Sequence, residues 1–328
     1  MANESLENYA YKIGNGIKVL RIRRGISAEN ICDVGGEDEL CSTQTLSSIE
    51  NGHLKKINMN ILIAILKKLG TSLEEFTKEF LEEEYTLFDM KFKEIWNLIY
   101  DKLYIEAEEK LFELQKEKFY NKNYTSFNQS LLLCEGALLS RHRNKKDEAL
   151  SLLVKSLQLT QPKIFDKKIK KVDLKKLAAS FINKRESDIL IEIAYLNTKK
   201  EALEIEELLY KLASSGNSMS VDDKNKVLSS LCFNMSNKML DLGRKDKLIL
   251  ELCDEGINLE KQQRSTASIS YFYYNKGRFY SLIGELENAQ KFFQKSYDFF
   301  INIEKFDLAE SVFLWSKEKY NIILTKGE

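Results

Sequence analysis

The chain has 328 residues, enough for about two domains of ordinary size. It contains one proline and fourteen glycines, and a β-rich protein would need more of these turn-forming residues. The composition therefore favours an all-α fold. Fifty basic and fifty acidic residues give no formal net charge. This balance excludes a uniformly basic nucleic-acid coat but is compatible with a local basic surface.

The composition also bears on localisation and chemistry. No apolar run approaches the roughly 18 residues of a membrane helix, and the N-terminus is too polar for a signal peptide, so we expect a cytoplasmic protein without a membrane partner. The five cysteines are scattered and the two histidines lie far apart, which argues against a disulfide framework and a zinc site. No nucleophile–base arrangement stands out, and Gly14-Asn-Gly16 lacks the preceding strand of a phosphate-binding loop. We expect no enzymatic activity, metal or cofactor.

Residues 11–80 have the apolar periodicity of five short helices. The residues that start or stop them have the expected capping chemistry. The first helix is predicted from about Tyr11 to Arg24, the second after the N-cap Ser27, the third between Ser42 and Gly52, the fourth from Asn60 to Leu69 before Gly70, and the fifth after the capping box of Ser72 and Glu75.

The third of these helices carries the most functional information. Leu46 and Ile49 share one apolar face, and the short polar side chains near the start of the helix point elsewhere. Such side chains reach base edges in a DNA major groove without clashing. We predict that Gln44 and Thr45 contact bases and that Thr43 and Ser48 contact bases or phosphates. The alternative is a degenerate helix that serves only as a dimer or protein contact.

Charged residues around this helix suggest two further roles. Arg21 and Glu50 are predicted to form a buried or half-buried ion pair between the first and third helices, because a carboxylate facing DNA would be repelled. The candidates for phosphate contacts are Lys18, Arg23, Arg24, His53, Lys55 and Lys56. Each of these is equally well explained as an ordinary solvated side chain, except that His53 is better explained as a loop residue than as a ligand.

The rest of the chain is repetitive. An acidic stretch without a Gly/Ser linker follows residue 74, and we place the domain boundary so that residues 1–80 and 81–328 form the two domains. Gly277, Tyr280, Ala289 and Phe293 have the spacing of a tetratricopeptide helix pair. Similar second-helix starts occur at Ala107, Ala149 and Ala202. These starts predict about five helix pairs, capped by a final helix from about Phe306 to Leu324.

Two asparagines, Asn234 and Asn275, occupy matching positions on the first helices of successive pairs. An amide offers a donor and an acceptor together, so it can pair with a peptide bond whatever the neighbouring side chains are. The other candidates for a peptide site are Asn237, Tyr271, Tyr274 and Arg278, the last of which can hold a carboxylate bidentately. In the alternative interpretation, the asparagines bond to the ends of neighbouring helices.

The pattern of residues 17–27 followed by 46–52 resembles the Xre-type helix-turn-helix, and Leu40-Cys41-Ser42 resembles, more narrowly, the Rgg/PlcR regulators. With the repeats, the layout is similar to the RRNPP peptide-pheromone receptors. The resemblance implies a homodimeric transcription regulator of quorum sensing that binds double-stranded DNA. A short signalling peptide would bind in the concave groove of its right-handed tetratricopeptide-like array.

Compared with this family, the chain is longer between Ile26 and Leu40, where four acidic residues lie between Asp33 and Glu39. Because these would repel phosphates, we expect the insertion to face away from DNA. Two other functions stay open. One is a DNA-binding repressor whose repeats bind a protein partner, and the other is a scaffold that inhibits another regulator without binding DNA.

Overall fold

The computed structural model describes residues 2–33, 40–53, 57–77, 80, 83–117, 125–165, 172–215, 219–266 and 268–325, with the backbone alone for 2–9 and 83–86. Within these ranges the chain forms seventeen α-helices, and an isolated antiparallel β-bridge joins Phe165 to Val172. The predicted all-α fold class is therefore confirmed. None of the described helices is long and apolar enough to span a bilayer.

The chain divides into two compact units, residues 1–121 and 122–328. The first unit begins with five helices: α1 (Ala2–Arg23), α2 (Ala28–Cys32), α3 (Thr43–Glu50), α4 (Met59–Lys68) and α5 (Leu73–Phe76). As predicted, Ser27, Ser42 and Ser72 cap α2, α3 and α5 by accepting a hydrogen bond from a backbone N–H three residues later. The predicted capping box of Ser72 and Glu75 is also present.

The five helices enclose one apolar core. Ile17, Leu46, Ile49 and Ile65 are among the side chains with at most 1% exposure. A Cβ atom added to Gly14 would lie only 2.0 Å from the carbonyl oxygen of Ile49. The glycine is therefore needed because the backbones of α1 and α3 touch, which explains the Gly14-Asn-Gly16 sequence without any phosphate-binding role.

A helix pair, α6 (Glu83–Tyr100) and α7 (Tyr104–Lys116), completes the described part of the first unit. Ala107, the predicted start of its second helix, is fully buried. By contacts this pair belongs to the first unit, whereas by sequence pattern it is the first repeat. The division into domains 1–80 and 81–328 is based on the repeat pattern of the sequence, and it stays a prediction.

Where the structure describes it, the second unit contains four helix pairs, one short helix between the first two of them, and a single closing helix. Its helices are α8 (Thr125–Arg141), α9 (Lys146–Gln158), α10 (Leu174–Ala178), α11 (Lys184–Leu196), α12 (Lys199–Ser215), α13 (Val221–Asp241), α14 (Leu248–Gln262), α15 (Ile269–Ile283), α16 (Leu286–Asn302) and α17 (Phe306–Tyr320). The partners of each pair pack together, and α8, α11, α13 and α15 form a continuous series in which each first helix contacts the next. With α6–α7, the described residues contain the five pairs and the final helix that the sequence predicts.

Small residues determine how closely the helices of a pair approach. A Cβ atom at Gly277 would lie 2.6 Å from the ring of Phe293, and one at Gly136 would lie 2.8 Å from Leu153. These distances are shorter than van der Waals contact, so neither position accepts a larger residue without movement. The predicted role of Gly277 as a close-packing residue is confirmed.

Candidate functional site: the outer face of helix α3 and the first-helix face of the array

The outer face of α3 presents short polar side chains. Thr43 and Gln44 are exposed in its first turn, directly after the N-cap Ser42. Thr45 is half-buried, and its Oγ1 lies 2.9 Å from Ser42 Oγ. The hydroxyl of Ser48 donates to the carbonyl oxygen of Gln44 at 2.9 Å. Of the four predicted contact residues, Thr43 and Gln44 are therefore the two most open to a ligand, whereas Thr45 and Ser48 also serve the helix itself.

Ser47 was missed by the sequence reasoning. It is exposed, and it follows Thr43 by four residues and Gln44 by three, so the three side chains share one face of the helix. Its carbonyl oxygen accepts a hydrogen bond from Asn51 Nδ2 at 2.8 Å, which fixes the end of the helix. Helical spacing alone would have identified Ser47 as a candidate for base contact.

Arg21 and Glu50 form a bidentate ion pair between α1 and α3, as the sequence predicts. Arg21 Nε donates to Glu50 Oε1 at 2.6 Å, and Arg21 Nη2 donates to Oε2 at 2.8 Å. The third guanidinium nitrogen donates to the carbonyl oxygen of Ile26 at 3.2 Å. The hydrogen bonds to Glu50 raise the pKa of Arg21 despite partial burial. Because the carboxylate is 7% exposed and neutralised by this pair, it does not oppose a phosphate backbone.

The candidate phosphate contacts occupy different environments. Lys18 is half-buried on α1, and Arg23, Arg24 and His53 are exposed. The guanidinium of Arg24 lies over Gly70, its Nη1 2.8 Å from the position of a Cβ there. The remaining two candidates, Lys55 and Lys56, lie outside the described residues.

A cluster of charged and amide side chains links α13 and α15, two first helices of the array, to the start of the second helix α12. Arg278 Nη1 donates to Asn237 Oδ1 at 2.5 Å, and Arg278 Nη2 donates to Asp241 Oδ1 at 2.6 Å. The ammonium of Lys199 lies 2.9 Å from the other oxygen of Asp241. Burial alone would raise the pKa of Asp241, but the hydrogen bonds from Arg278 and Lys199 outweigh it and hold that pKa below its ordinary value. We call Lys199, Asn237, Asp241 and Arg278 the array cluster.

The two matched asparagines lie in different environments. Asn234 is half-buried, one helical turn before Asn237 on α13. Asn275 is only 1% exposed, and its amide nitrogen donates to Ser236 Oγ at 3.1 Å. It therefore lies on the side of α15 that packs against α13, where it bonds to a side chain within that helix rather than to a helix end, the partner that the alternative interpretation expected. Equal positions in the two repeats therefore do not have equal exposure.

Aromatic rings line the array next to the cluster. The half-buried ring of Tyr274 lies 5.4 Å from that of Phe293 and 5.8 Å from that of Trp315, and the Arg278 guanidinium lies 5.9 Å from it. Burial raises the pKa of Tyr274, so its hydroxyl keeps its proton at neutral pH. Tyr271 stacks edge-on against Phe300 at 5.0 Å. Polar groups and aromatic surface thus meet on one face of the array.

Sequence reasoning missed three members of this region: Lys199, Asp241 and Trp315. Asp241 follows Asn237 by four residues, and this helical spacing is a signal that the sequence does contain. Lys199 and Trp315 come from α12 and α17, and no sequence pattern links them to the other residues.

The comparisons with known proteins fit this arrangement. Residues 17–76, from the C-terminal part of α1 to the end of α5, match the HTH_3 family model, described as helix-turn-helix. The crystal structure of Bacillus thuringiensis PlcR in complex with the peptide PapR7 and DNA matches with a TM-score of 0.71 at 18% identity, covering 92% of this chain and 99% of PlcR. The chain joins a helix-turn-helix domain to a repeat array in the PlcR fold. The predicted resemblance to the RRNPP regulators is therefore confirmed at the level of the fold.

Two ComR structures share the fold of this helix-turn-helix protein. ComR from S. thermophilus in complex with DNA and its signalling peptide ComS gives a TM-score of 0.50 at 17% identity, covering 92% of this chain and 97% of ComR. The apo form of the competence regulator ComR from Streptococcus vestibularis gives 0.51 at 16% identity, with coverages of 95% and 99%. No curated protein sequence matches the chain.

Proposed function

We propose that the protein is a DNA-binding transcription regulator of quorum sensing, controlled by a short signalling peptide that binds the first-helix face of its repeat array. The observation that carries the proposal is the exposed polar start of α3 in a helix-turn-helix, within a chain that shares the PlcR fold over 92% of its length. The PlcR structure itself holds a peptide and DNA.

The DNA-binding half of the proposal rests on α3. Gln44 is exposed in the first turn, and a glutamine amide can bond bidentately to adenine, a contact worth about 1–3 kcal/mol of discrimination. Thr43 and Ser47 flank it on the same face. Exposed basic side chains such as Arg23 supply phosphate contacts, each adding about 0.9 to the slope of log affinity against log salt. We propose that two copies act as a homodimer on half-sites about 34–36 Å apart.

DNA binding is tested with the full-length protein and a pool of duplexes of random sequence. Repeated selection should enrich one sequence, and Gln44→Ala should bind that duplex about tenfold less tightly while keeping the wild-type melting temperature. Gln262→Ala is the matched control, because Gln262 is an exposed glutamine at the end of α14. Failure to enrich any sequence, or equal affinity of the Gln44 and Gln262 variants, would contradict the proposal that α3 contacts bases.

The peptide-binding half rests on the array cluster and its neighbours. Asn234 and Asn237 share one face of α13, and Tyr274 adds aromatic surface beside Arg278. Amide groups can pair with a ligand backbone, and aromatic rings can bury apolar side chains of a short peptide. Such a ligand changes DNA binding only by favouring one arrangement of the protein over another. Couplings of this kind are typically about 1–3 kcal/mol.

Peptide binding is tested by calorimetry with synthetic peptides that cover the C-terminal ends of short reading frames adjoining the gene. At least one should bind wild-type protein, and the double variant Asn234→Ala/Asn237→Ala should bind it at least tenfold more weakly. Asn258→Ala is the control, because Asn258 is exposed on α14, a second helix. If no peptide binds and a larger protein co-purifies with the array, the alternative of a protein-binding repressor or scaffold is favoured.

A further inference from the structure

Two cysteine thiols meet at the turn between α2 and α3. Cys32 is the last residue of α2, and Cys41 directly precedes Ser42, the N-cap of α3. Their sulfur atoms lie 3.9 Å apart, and both side chains are buried, with 3% and 9% exposure. The backbone N–H of Leu40 donates to the carbonyl oxygen of Cys32 at 2.8 Å. The two segments therefore run side by side, and a bond between the sulfurs would join the end of one helix to the start of the next.

The other three cysteines lie outside the helix-turn-helix. Cys134, Cys232 and Cys253 lie in the second unit, and burial raises the pKa of each thiol, that of Cys253 to about 12. Because the thiolate is the reactive form, these three are poor targets for oxidation at neutral pH. They provide an internal comparison within the same molecule.

We propose that Cys32 and Cys41 form a reversible intramolecular disulfide when the protein meets hydrogen peroxide, and that this bond weakens DNA binding by α3. The effect on DNA rests on the proposed function, whereas the formation of the disulfide does not. This assignment concerns the helix-turn-helix itself and is separate from the peptide response of the array.

The chemistry requires peroxide as a two-electron oxidant. The thiolate of Cys41, the more exposed of the two, attacks one peroxide oxygen, the O–O bond breaks, and the departing hydroxide takes a proton to become water. The resulting sulfenic acid is attacked at sulfur by Cys32, a sulfur–sulfur bond forms, and the hydroxide that leaves takes the Cys32 proton as a second water. In sum, two thiols lose two electrons and two protons, and one peroxide becomes two waters. A dithiol reductant reverses the step by thiol–disulfide exchange.

Geometry connects the bond to the DNA-binding face. A disulfide needs its sulfurs about 2.05 Å apart, so the present 3.9 Å contact must shorten by nearly half. Cys41 is covalently followed by the N-cap Ser42 and then by Thr43 and Gln44. Pulling Cys41 towards α2 therefore shifts the first turn of α3, where directional contacts to bases would be made. Losing one bidentate base contact lowers affinity roughly tenfold.

The disulfide is tested by peptide mass after oxidation. Full-length reduced protein is treated with hydrogen peroxide, the peroxide is removed, and the protein is unfolded in urea, alkylated with N-ethylmaleimide and digested with trypsin. No Lys or Arg lies between Arg24 and Lys55, so residues 25–55 form one fragment that contains both cysteines. The expected product is this fragment, unlabelled and two hydrogen atoms lighter, from protein that still runs as a monomer on a non-reducing gel, while Cys134 keeps its label.

The switch is tested with the duplex enriched by selection. Oxidised protein should bind it about tenfold more weakly, dithiothreitol should restore the affinity, and Cys32→Ala should bind equally well before and after peroxide. If Cys32→Ala fails to fold, the DNA affinity of the wild-type protein, measured after oxidation and again after reduction, tests the switch by itself. Two labels retained in the fragment, a bond between chains, or a disulfide with unchanged affinity would each overturn the proposal. Absence of DNA binding by reduced protein would refute the proposed function and with it the switch, while the fragment mass would still decide the disulfide.

Discussion

The ion pair between Arg21 and Glu50 leads to a quantitative prediction for Glu50→Gln. The substitution keeps the shape of the side chain but removes the charge that holds two guanidinium nitrogens at 2.6 and 2.8 Å. Removing one partner of a buried pair costs about 3–5 kcal/mol, because the other charge loses its compensation. Arg21 is 17% exposed and keeps its bond to Ile26, so water offsets part of this loss. We expect a cost of about 2 kcal/mol, near the value for a lost charged hydrogen bond.

The measurement is native-state hydrogen exchange of the full-length protein, because two units make a single unfolding free energy ill-defined. Protected amides of α1 and α3 should exchange about 30-fold faster in Glu50→Gln, which corresponds to the expected 2 kcal/mol. Amides of α15 should be unchanged. Glu94→Gln is the matched control, since Glu94 pairs with Lys110 at 2.8 Å while both are substantially exposed. Such pairs contribute about 0–1 kcal/mol. Equal acceleration by both variants would refute the argument that burial makes the Arg21–Glu50 pair important.

Three further predictions concern packing, titration and capping. Gly277→Ala should destabilise the array by about 1–3 kcal/mol and lower its melting temperature, because the new methyl would meet the Phe293 ring; an unchanged melting curve would contradict the packing argument. The lowered pKa of Asp241 means that its ionised form stabilises the fold above the ordinary aspartate pKa of about 3.9, and that this stabilisation is lost as the pH falls through its folded value. The stability difference between wild type and Asp241→Asn should therefore shrink as urea titrations move from pH 6 to about pH 3. Ser42→Ala should cost about 1 kcal/mol through loss of the α3 cap, seen as faster exchange of the Thr45 amide.

Local features of this fold could be predicted from the sequence because their causes are local. Ser27, Ser42 and Ser72 each bond to a backbone group three residues away, so the sequence contains both partners of every cap. Buried alanines such as Ala149 and Ala289 mark helix pairs for the same reason, since a small residue at a fixed spacing is itself the packing device. Helix order and the number of pairs followed from these signals.

Features that depend on distant partners could not be predicted in this way. Gly14 is required by the carbonyl oxygen of Ile49, which lies on a different helix, so its neighbours in sequence give no hint of the contact. Asn275 has the same repeat position as Asn234 but is buried, and its amide nitrogen donates to Ser236, a partner 39 residues away in the sequence. The insertion at Asp33–Glu39 lies largely outside the described residues, and its expected orientation away from DNA stays a prediction.

The hydrogen bonds within the array cluster limit which ligands Arg278 can bind. The sequence predicts that Arg278 holds a ligand carboxylate, but two guanidinium nitrogens already donate to Asn237 and Asp241 at 2.5 and 2.6 Å. A peptide carboxylate at this site would have to displace an internal carboxylate of equal charge, so the net electrostatic gain would be small. Peptide bonds impose no such exchange, because Asn234 can donate and accept, and the amide nitrogen of Asn237 can donate while its oxygen keeps the bond to Arg278. We therefore infer that recognition at this face relies on backbone amides and apolar side chains, and that Arg278 chiefly fixes α15 against α13.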